Sequence, residues 1–391
     1  MQLSSGHSLA YCTNVHRGEG WSETFSNLQT NTLKVRQQVC PNKPYAVGLR
    51  LGNSAAQELG QEKNLKNFRE WLEKENCYVS GINGFPYGAF HGQSVKESVF
   101  LPDWTDLSRL EYTQKLLDIL AALNPPHQQG TVSTLPATFK KFNRSDVQIK
   151  ELQKNILTCG EYLMRLRDRT GVTLQLALEP EPLGYFENTQ QTIDFFAQLR
   201  GQETTSGLVD NFLGVCYDTC HFALQYEDAA QSVEKLNANG APILKYHLSS
   251  ALKLNPSDGA LERLASMQEP TYLHQCIGKA SDGNLIYFKD IPDALADINS
   301  LKKLNELRVH FHLPLHSMPI EKDFSNTTDF LRKVLEVIMR QPGRARELEI
   351  ETYTWEVLPP ALRAMDVTDQ VVAEYRWVLN ELNQYGVRAA Q

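Results

Sequence analysis

Five short strings carry acids and imidazoles where β-strands would end. The first is Leu174-Gln175-Leu176-Ala177-Leu178-Glu179-Pro180-Glu181-Pro182. Alternation along a strand puts the three leucines on one face and Gln175, Ala177 and Glu179 on the other. Pro180 donates no ladder hydrogen bond, so the strand stops there with Glu179 facing inward. An interior carboxylate is costly unless paired or metal-bound, which makes Glu179 a functional candidate. Glu181 is balanced between substrate contact and loop surface.

The second string, Leu213 to His221, reads LGVCYDTCH. Asp218 ends a strand and His221 follows three residues later. The aspartate can ligate a divalent ion, and the histidine can ligate or hydrogen-bond a substrate oxygen. A helix N-cap beside a packed imidazole has the same spacing. In Lys245-Tyr246-His247-Leu248-Ser249, Lys245, His247 and Ser249 share a face. So do Arg308, His310 and His312 in RVHFH, with His316 beyond; an H-x-H strand puts two imidazoles on one side, a familiar metal-binding arrangement. In Glu347-Leu348-Glu349-Ile350-Glu351, the acids lie opposite Leu348 and Ile350, and Glu351 is nearest the strand's end. Together these strings give Glu, Asp-x-x-His, His and Glu at the ends of late strands. That is an O,O,O,N set for one divalent ion (Mn²⁺, Mg²⁺, Co²⁺ or Zn²⁺), unlike a thiolate zinc or iron–sulfur site.

Such a set needs a scaffold that brings strand ends together. Short β-rich runs recur at Leu9–Val15, Ala46–Gly52, Tyr78–Asn83, Thr131–Leu135, Leu174–Glu179, Leu213–Asp218, Ile243–Leu248, Leu307–Leu313 and Leu348–Tyr353. Amphipathic helical patterns lie between them, among them Asp106–Leu123, Ser145–Arg169, an Asn188-capped helix from Thr189 to Leu199, Thr327–Met339 and Val367–Leu382. Strand–helix alternation predicts a parallel sheet with helices outside. The number of units, and the lack of GxGxxG or GxxxxGK[ST], favour a closed (β/α)₈ TIM barrel over an open nucleotide-binding sheet. Nine candidate strands are one too many. Residues 250–305, with Pro256, Pro270 and a Gly283-Asn284 turn, read as an insertion. Either Ile243–Leu248 or Leu307–Leu313 could be the seventh barrel strand. The expectation is a single domain: a barrel over about 8–355 and a C-terminal helix over about 366–386.

Composition removes other classes. The 391 residues include 39 basic and 46 acidic side chains, a formal charge of −7. Without a clustered basic surface, nucleic acid is not an expected partner. No apolar run is long enough for a membrane span, and the first residues do not resemble a secretory signal. Seven cysteines without a CxxC pair fit free buried thiols in a reducing, cytoplasmic setting.

With these residues in place, the chain resembles the xylose isomerase-like barrel superfamily, which includes sugar isomerases, epimerases and metal-using endonucleases. The matching positions are Glu179 in LALEPEP, Asp218 and His221 in YDTCH, His247 in KYHLSS and Glu351 in LEIETYTW. The strings YCTNVHRGEGW, VHFHLPLH and ETYTWEVLP resemble one subgroup, the metabolite traffic protein EboE, linked to secondary-metabolite precursors. The resemblance implies a barrel and a divalent metal held by Glu179, Asp218, His247 and Glu351. Superfamily members usually have one histidine strand in this region, so His310 or His312 could take the place of His247.

Three activities follow as expectations. One is isomerisation or epimerisation of a small hydroxylated metabolite, with Glu179 and Glu351 moving protons and His221 beside them. Another is metal-dependent hydrolysis of a phosphate ester. The last is non-catalytic binding and hand-over of a metabolite, as a homo-oligomer or with a pathway partner. His16, Trp21 and Arg50, near the first two strands, are candidate substrate contacts alongside Glu181, His310 and His312. His16 could bond a hydroxyl, Trp21 could stack on a ring, and Arg50 could hold an anion.

Overall fold

A computed structural model of the chain describes residues 1–317, 323–340, 346–360, 363 and 365–390. Seven parallel strands follow in order: β1 (Ser8–Tyr11), β2 (Tyr45–Arg50), β3 (Cys77–Asn83), β4 (Gln129–Thr134), β5 (Thr173–Leu178), β6 (Leu213–Asp218) and β7 (Ile243–Leu248). Five short strands come next: β8 (Leu252–Leu254), β9 (Cys276–Ala280), β10 (Leu285–Phe288), β11 (Leu304–Val309) and β12 (Phe324–Asn326). Then comes β13 (Glu347–Ile350).

The first seven strands and β13 form one parallel sheet, in the order β1-β13-β7-β6-β5-β4-β3-β2. A parallel bridge between Cys12 and Gly48 joins the two outer strands and closes the (β/α)₈ barrel. Ile243–Leu248 is therefore the seventh barrel strand. β11 instead joins an antiparallel sheet ordered β10-β9-β11-β8-β12, with its own small apolar core including Leu254, Leu264, Leu307 and Phe311. The inserted sheet begins at the expected place but runs on through Asn326, beyond the 250–305 stretch. Its antiparallel pairing of β11 with β8 and β9 explains why a ninth β-rich run found no place in the barrel.

Local sequence accounts for the frame. Ser145 and Gln148 form a capping box that starts Asp146–Thr170, and Gly171, at φ 76°, ends it in the left-handed region. Asn188 caps Thr189–Arg200 as expected. The helix Val367–Asn383 packs back on the barrel, where Tyr375 and Tyr45 share a hydroxyl–hydroxyl bond of 2.9 Å.

Inside the barrel, β13 and the residue after it present three glutamates, and two glycines on β2 and β3 leave room for two of them. A Cβ on Gly81 would collide with the Glu347 carboxylate, and one on Gly48 with that of Glu349. All seven cysteines are free and buried. Among the described residues, no helix is long and apolar enough to cross a membrane.

Candidate metal centre

Asp218 is the last residue of β6 and caps the helix Thr219–Leu224. Its Oδ1 accepts from the backbone N–H of Cys220 (2.7 Å) and His221 (3.1 Å) and from the Ser249 hydroxyl (2.6 Å). Capping, one of the two alternatives in the sequence, thus uses one oxygen of the carboxylate and leaves the other free for the second. Oδ1 holds the helix, while Oδ2 faces the barrel mouth with no hydrogen-bond partner among the described residues.

Glu179 is the first residue past β5, and its backbone N–H still bonds Thr134 O at 2.9 Å. Glu351 follows β13 in the same way, with its N–H on Leu248 O. Both are held at the end of the ladder with their side chains inward. Glu351 Oε1 accepts from Asn14 (2.9 Å) and Asn83 (3.2 Å), so its other oxygen is aimed at His247. The His247 Nδ1 lies 3.1 Å from Glu179 Oε1, 3.3 Å from Glu351 Oε2 and 3.6 Å from Asp218 Oδ2. One ligand atom from each of Glu179, Asp218, His247 and Glu351 lies within 4.8 Å of the other three, and all four residues are buried.

The charge balance accommodates a cation. Burial alone would oppose an imidazolium at His247. The acidic groups packed around it, Cys216, Glu351 and Glu179 with Asp218 beside them, outweigh that and hold its pKa well above the ordinary value. Burial likewise opposes ionisation of Asp218, but His221, His247 and His312 draw it well below its usual range. Glu351 is raised by burial against the pull of His247. Three buried carboxylates around one imidazole, with Glu179 Oε2 and Asp218 Oδ2 unbonded among the described residues, fit one divalent ion bound by hard oxygens and a nitrogen.

His310 and His312 lie just past β11, on the inserted sheet; they meet His221, and His310 also lies 3.8 Å from Glu181 and His312 3.9 Å from Glu351. His310 Nε2 is 3.0 Å from His221 Nε2 and 3.1 Å from His312 Nε2. Arg308 turns away from both and pairs with Glu306. The carboxylate and imidazole groups open on a pocket whose walls include Glu179, Glu181, His221, His310 and Glu351, faced by Phe85, Phe90 and Tyr353. Burial raises Glu181 to about 8.

His16, Trp21 and Arg50 are not brought to this pocket. β1 ends at Tyr11, four residues earlier than the β-rich run suggests, and a 3₁₀ turn over Thr13–Val15 carries His16 aside. His16 Nε2 bonds the Tyr11 hydroxyl at 2.9 Å. Trp21 stacks on Phe25, with ring centroids 5.2 Å apart, and meets Phe68 edge-on. Arg50 donates to the Gly88 and Gly18 carbonyls. Conversely, Asn14, Asn83 and Gln275 went unnoticed in the sequence. Asn83 ends β3 with the same inward alternation as Glu179 and could have been found that way; Gln275 sits in the insertion, where no period marks it.

No protein-family model matches this chain, and no curated protein matches it. Solved structures do. A xylose isomerase-like TIM barrel protein from Mycobacterium smegmatis in complex with magnesium superposes with a TM-score of 0.52 at 10% identity, covering 97% of each chain. An L-ribulose 3-epimerase gives a TM-score of 0.50 at 11% identity, covering 97% of this chain and 96% of that one. At these identities the likeness establishes a shared fold, the (β/α)₈ barrel.

Proposed function

We propose that the chain is a metal-dependent enzyme of the isomerase or epimerase type acting on a small polyhydroxylated carbonyl compound. The observation that supports this most is the meeting of Glu179 and Glu351 across one pocket, both within reach of the same four-ligand cluster. β13, β7, β6 and β5 are consecutive in the barrel, so the two glutamates approach from opposite sides. A divalent ion held by Glu179, Asp218, His247 and Glu351 supplies Lewis-acid polarisation of adjacent substrate oxygens. Glu179 and Glu351 exchange the proton on the carbon beside the carbonyl: one accepts it and the other returns a proton, to the opposite face for epimerisation or to the former carbonyl carbon for isomerisation, in which the hydroxyl proton of the first carbon passes to the former carbonyl oxygen. Asn14 and Asn83 fix the Glu351 carboxylate for that transfer, and Phe85, Phe90 and Tyr353 keep water from the exposed carbanion face.

The test is incubation of metal-saturated protein with a panel of aldoses and ketoses in deuterium oxide. The expected outcome is carbon-bound deuterium in substrate or product, abolished in Glu179→Gln and Glu351→Gln. Absence of exchange across the panel with metal bound overturns the reading. A second reading, hydrolysis of a phosphate ester, draws support from the extra imidazoles of His310 and His312. Phosphate release without deuterium incorporation would favour it.

A finer proposal rests on YCTNVHRGEGW, VHFHLPLH and ETYTWEVLP: membership of the EboE subgroup and a place in handling secondary-metabolite precursors, alone, as a homo-oligomer or with a pathway protein in the cytoplasm. A ligand that copurifies and is bound without turnover would turn the site into one for hand-over rather than catalysis.

A further inference from the structure

The pocket has two unlike walls. The carboxylates and imidazoles form one, and Phe90, Val95, Val99, Tyr272, Leu273 and Tyr353 line the other. Phe90, Val95, Tyr272 and Tyr353 make a small apolar cluster of their own, with Val99 packed against it. The three rings touch pairwise. Their centroids are 5.2 Å apart for Phe90–Tyr272 and Phe90–Tyr353 and 5.1 Å apart for Tyr272–Tyr353, with planes inclined at 49°, 56° and 75°. Rings inclined in this way enclose a bowl rather than closing face to face on one another. Tyr272 and Leu273 come from the inserted segment, between the helix Asp258–Ser266 and β9, so the barrel strands alone would leave this wall incomplete.

The donors of this wall are committed elsewhere. Burial lowers the His91 pKa, so its ring is neutral. Its Nε2 lies 2.6 Å from the Asn14 carbonyl, which only accepts, so Nε2 carries the hydrogen and Nδ1 accepts from the Tyr272 hydroxyl at 2.6 Å. Lys96 Nζ donates to Asp290 (2.7 Å) and to Glu269 O (3.1 Å). The backbone N–H of Phe90 bonds Glu19 at 2.8 Å, and those of Val95 and Lys96 bond Thr271 O at 2.8 and 3.1 Å. A free sugar carries hydroxyls along its whole length. One placed in the bowl would give up water for a wall whose donors point away, and a polar group left unpaired costs more than an ordinary hydrogen bond gains. An apolar ring meets no such penalty and gains by burial. A cationic group is disfavoured there as well, because the Arg50 guanidinium already stands 5.9 Å from the Phe90 ring and Lys96 lines the same pocket.

We infer that the substrate is a hydroxy-carbonyl compound bearing a neutral apolar ring, with its hydroxy-carbonyl group at the carboxylates and its ring in the bowl of Phe90, Tyr272 and Tyr353. The inference deepens the reaction proposed above and rests on it for the polar half of the molecule. Free sugars fill only that half. Binding energy from the ring, remote from the reacting carbon, is what a substrate cut down to the polar half would lack.

Three probes share one reactive head and differ in the tail: hydroxyacetone ends in a methyl group, dihydroxyacetone in a hydroxymethyl group and α-hydroxyacetophenone in a phenyl ring. Their affinities for metal-loaded, full-length protein are measured by calorimetry in deuterium oxide, and deuterium uptake at the hydroxymethyl carbon is read in the same samples. One fully buried CH₂ group is worth about fourfold in affinity, so the phenyl compound is expected to bind at least about tenfold more tightly than either of the others. In Val99→Asp, which puts a charge into the bowl, the ratio should fall towards one; a ratio taken on a single protein is insensitive to a general loss of binding. The wild-type comparison needs no variant to fold. Equal affinity for the three probes, tighter binding of dihydroxyacetone, or failure of the phenyl compound to bind overturns the inference. Deuterium uptake separates it from the reaction: uptake at equal affinities keeps the reaction and removes the ring, whereas a clear preference for the phenyl compound without uptake in any probe keeps the ring and sinks the reaction.

Discussion

Glu347, Glu349 and Glu351 stand two residues apart on one face of the same strand end, yet they meet different fates. The lower two share Lys245, whose ammonium lies 3.0 Å from Glu349 and 3.9 Å from Glu347. Thr131 and Ser80 add hydroxyl bonds to Glu347. Burial alone would raise Glu349, but Lys245 and His247 hold its carboxyl well below the usual range. At Glu351 the described residues supply two amides and an imidazole but no lysine or arginine, and two more acids crowd in. A buried acid is therefore not by itself a sign of chemistry. The signal is a buried acid for which the chain provides no fixed counter-charge, because something from solution must then provide it.

That contrast can be broken most severely at its lower end. Lys245→Met removes the ammonium and leaves two carboxylates facing each other in the barrel. Removing one partner of a buried pair costs about 3–5 kcal/mol. Chemical denaturation should show a loss of that size. A loss below about 1 kcal/mol would mean that the lower acids do not depend on Lys245, and the distinction between the two layers would collapse.

A third solution to the same problem appears on the C-terminal helix and gives the next prediction. Glu374 is buried, accepts from Leu315 N (3.1 Å) and the Thr352 hydroxyl (2.6 Å), and is raised by burial to about 7. Among the described residues no lysine pairs with it; the proton itself neutralises it. The fold holds this proton more tightly than the unfolded chain does, so the stabilisation is complete below about pH 4.5 and is lost as pH rises through about 7. The full loss is about 3 kcal/mol, since one unit corresponds to about 1.4 kcal/mol. Glu374→Gln keeps an acceptor and cannot ionise. Its melting temperature relative to wild type should rise between pH 5 and pH 8. A constant offset over that window would show that Glu374 is not the titrating group.

How much of this could be read from the chain depends on the range of the interaction. Alternation and a stopping proline are local, and they located Glu179, Asp218, His247 and Glu351 on inward faces at strand ends. The N-cap at Asn188 was local too. Whether a run joins the barrel or a neighbouring sheet depends on which strands it pairs with, so Leu307–Leu313 stayed ambiguous. β8 and β12 are only three residues long and carry no periodic signal. Trp21 is chemically suited to stacking on a ligand, but Phe25 and Phe68, the latter far along the chain, claim it first. Lys245 was visible on the inward face; that it serves Glu347 and Glu349 rather than a substrate is a matter of depth in the barrel, which one strand's sequence does not encode.

The smallest expected effect lies where the two layers touch. His247 Nε2 sits 3.4 Å from Glu349 Oε1, while its Nδ1 faces the carboxylates of Glu179, Asp218 and Glu351. Glu349 thereby links the lysine-paired layer to the proposed centre: its negative charge favours a hydrogen on Nε2 and so keeps the Nδ1 lone pair directed at an ion. Outer partners of this kind are worth 10–100-fold in metal affinity. Glu349→Gln keeps the side-chain shape and removes the charge, so chelator competition should show metal bound about 10–100-fold more weakly, or about 1.4–2.7 kcal/mol. Lys245 retains Glu347 in this variant, so the barrel should remain folded and the weakening should be confined to the ion. Unchanged affinity would mean that His247 is oriented without Glu349, and the lower layer would then be scaffolding alone.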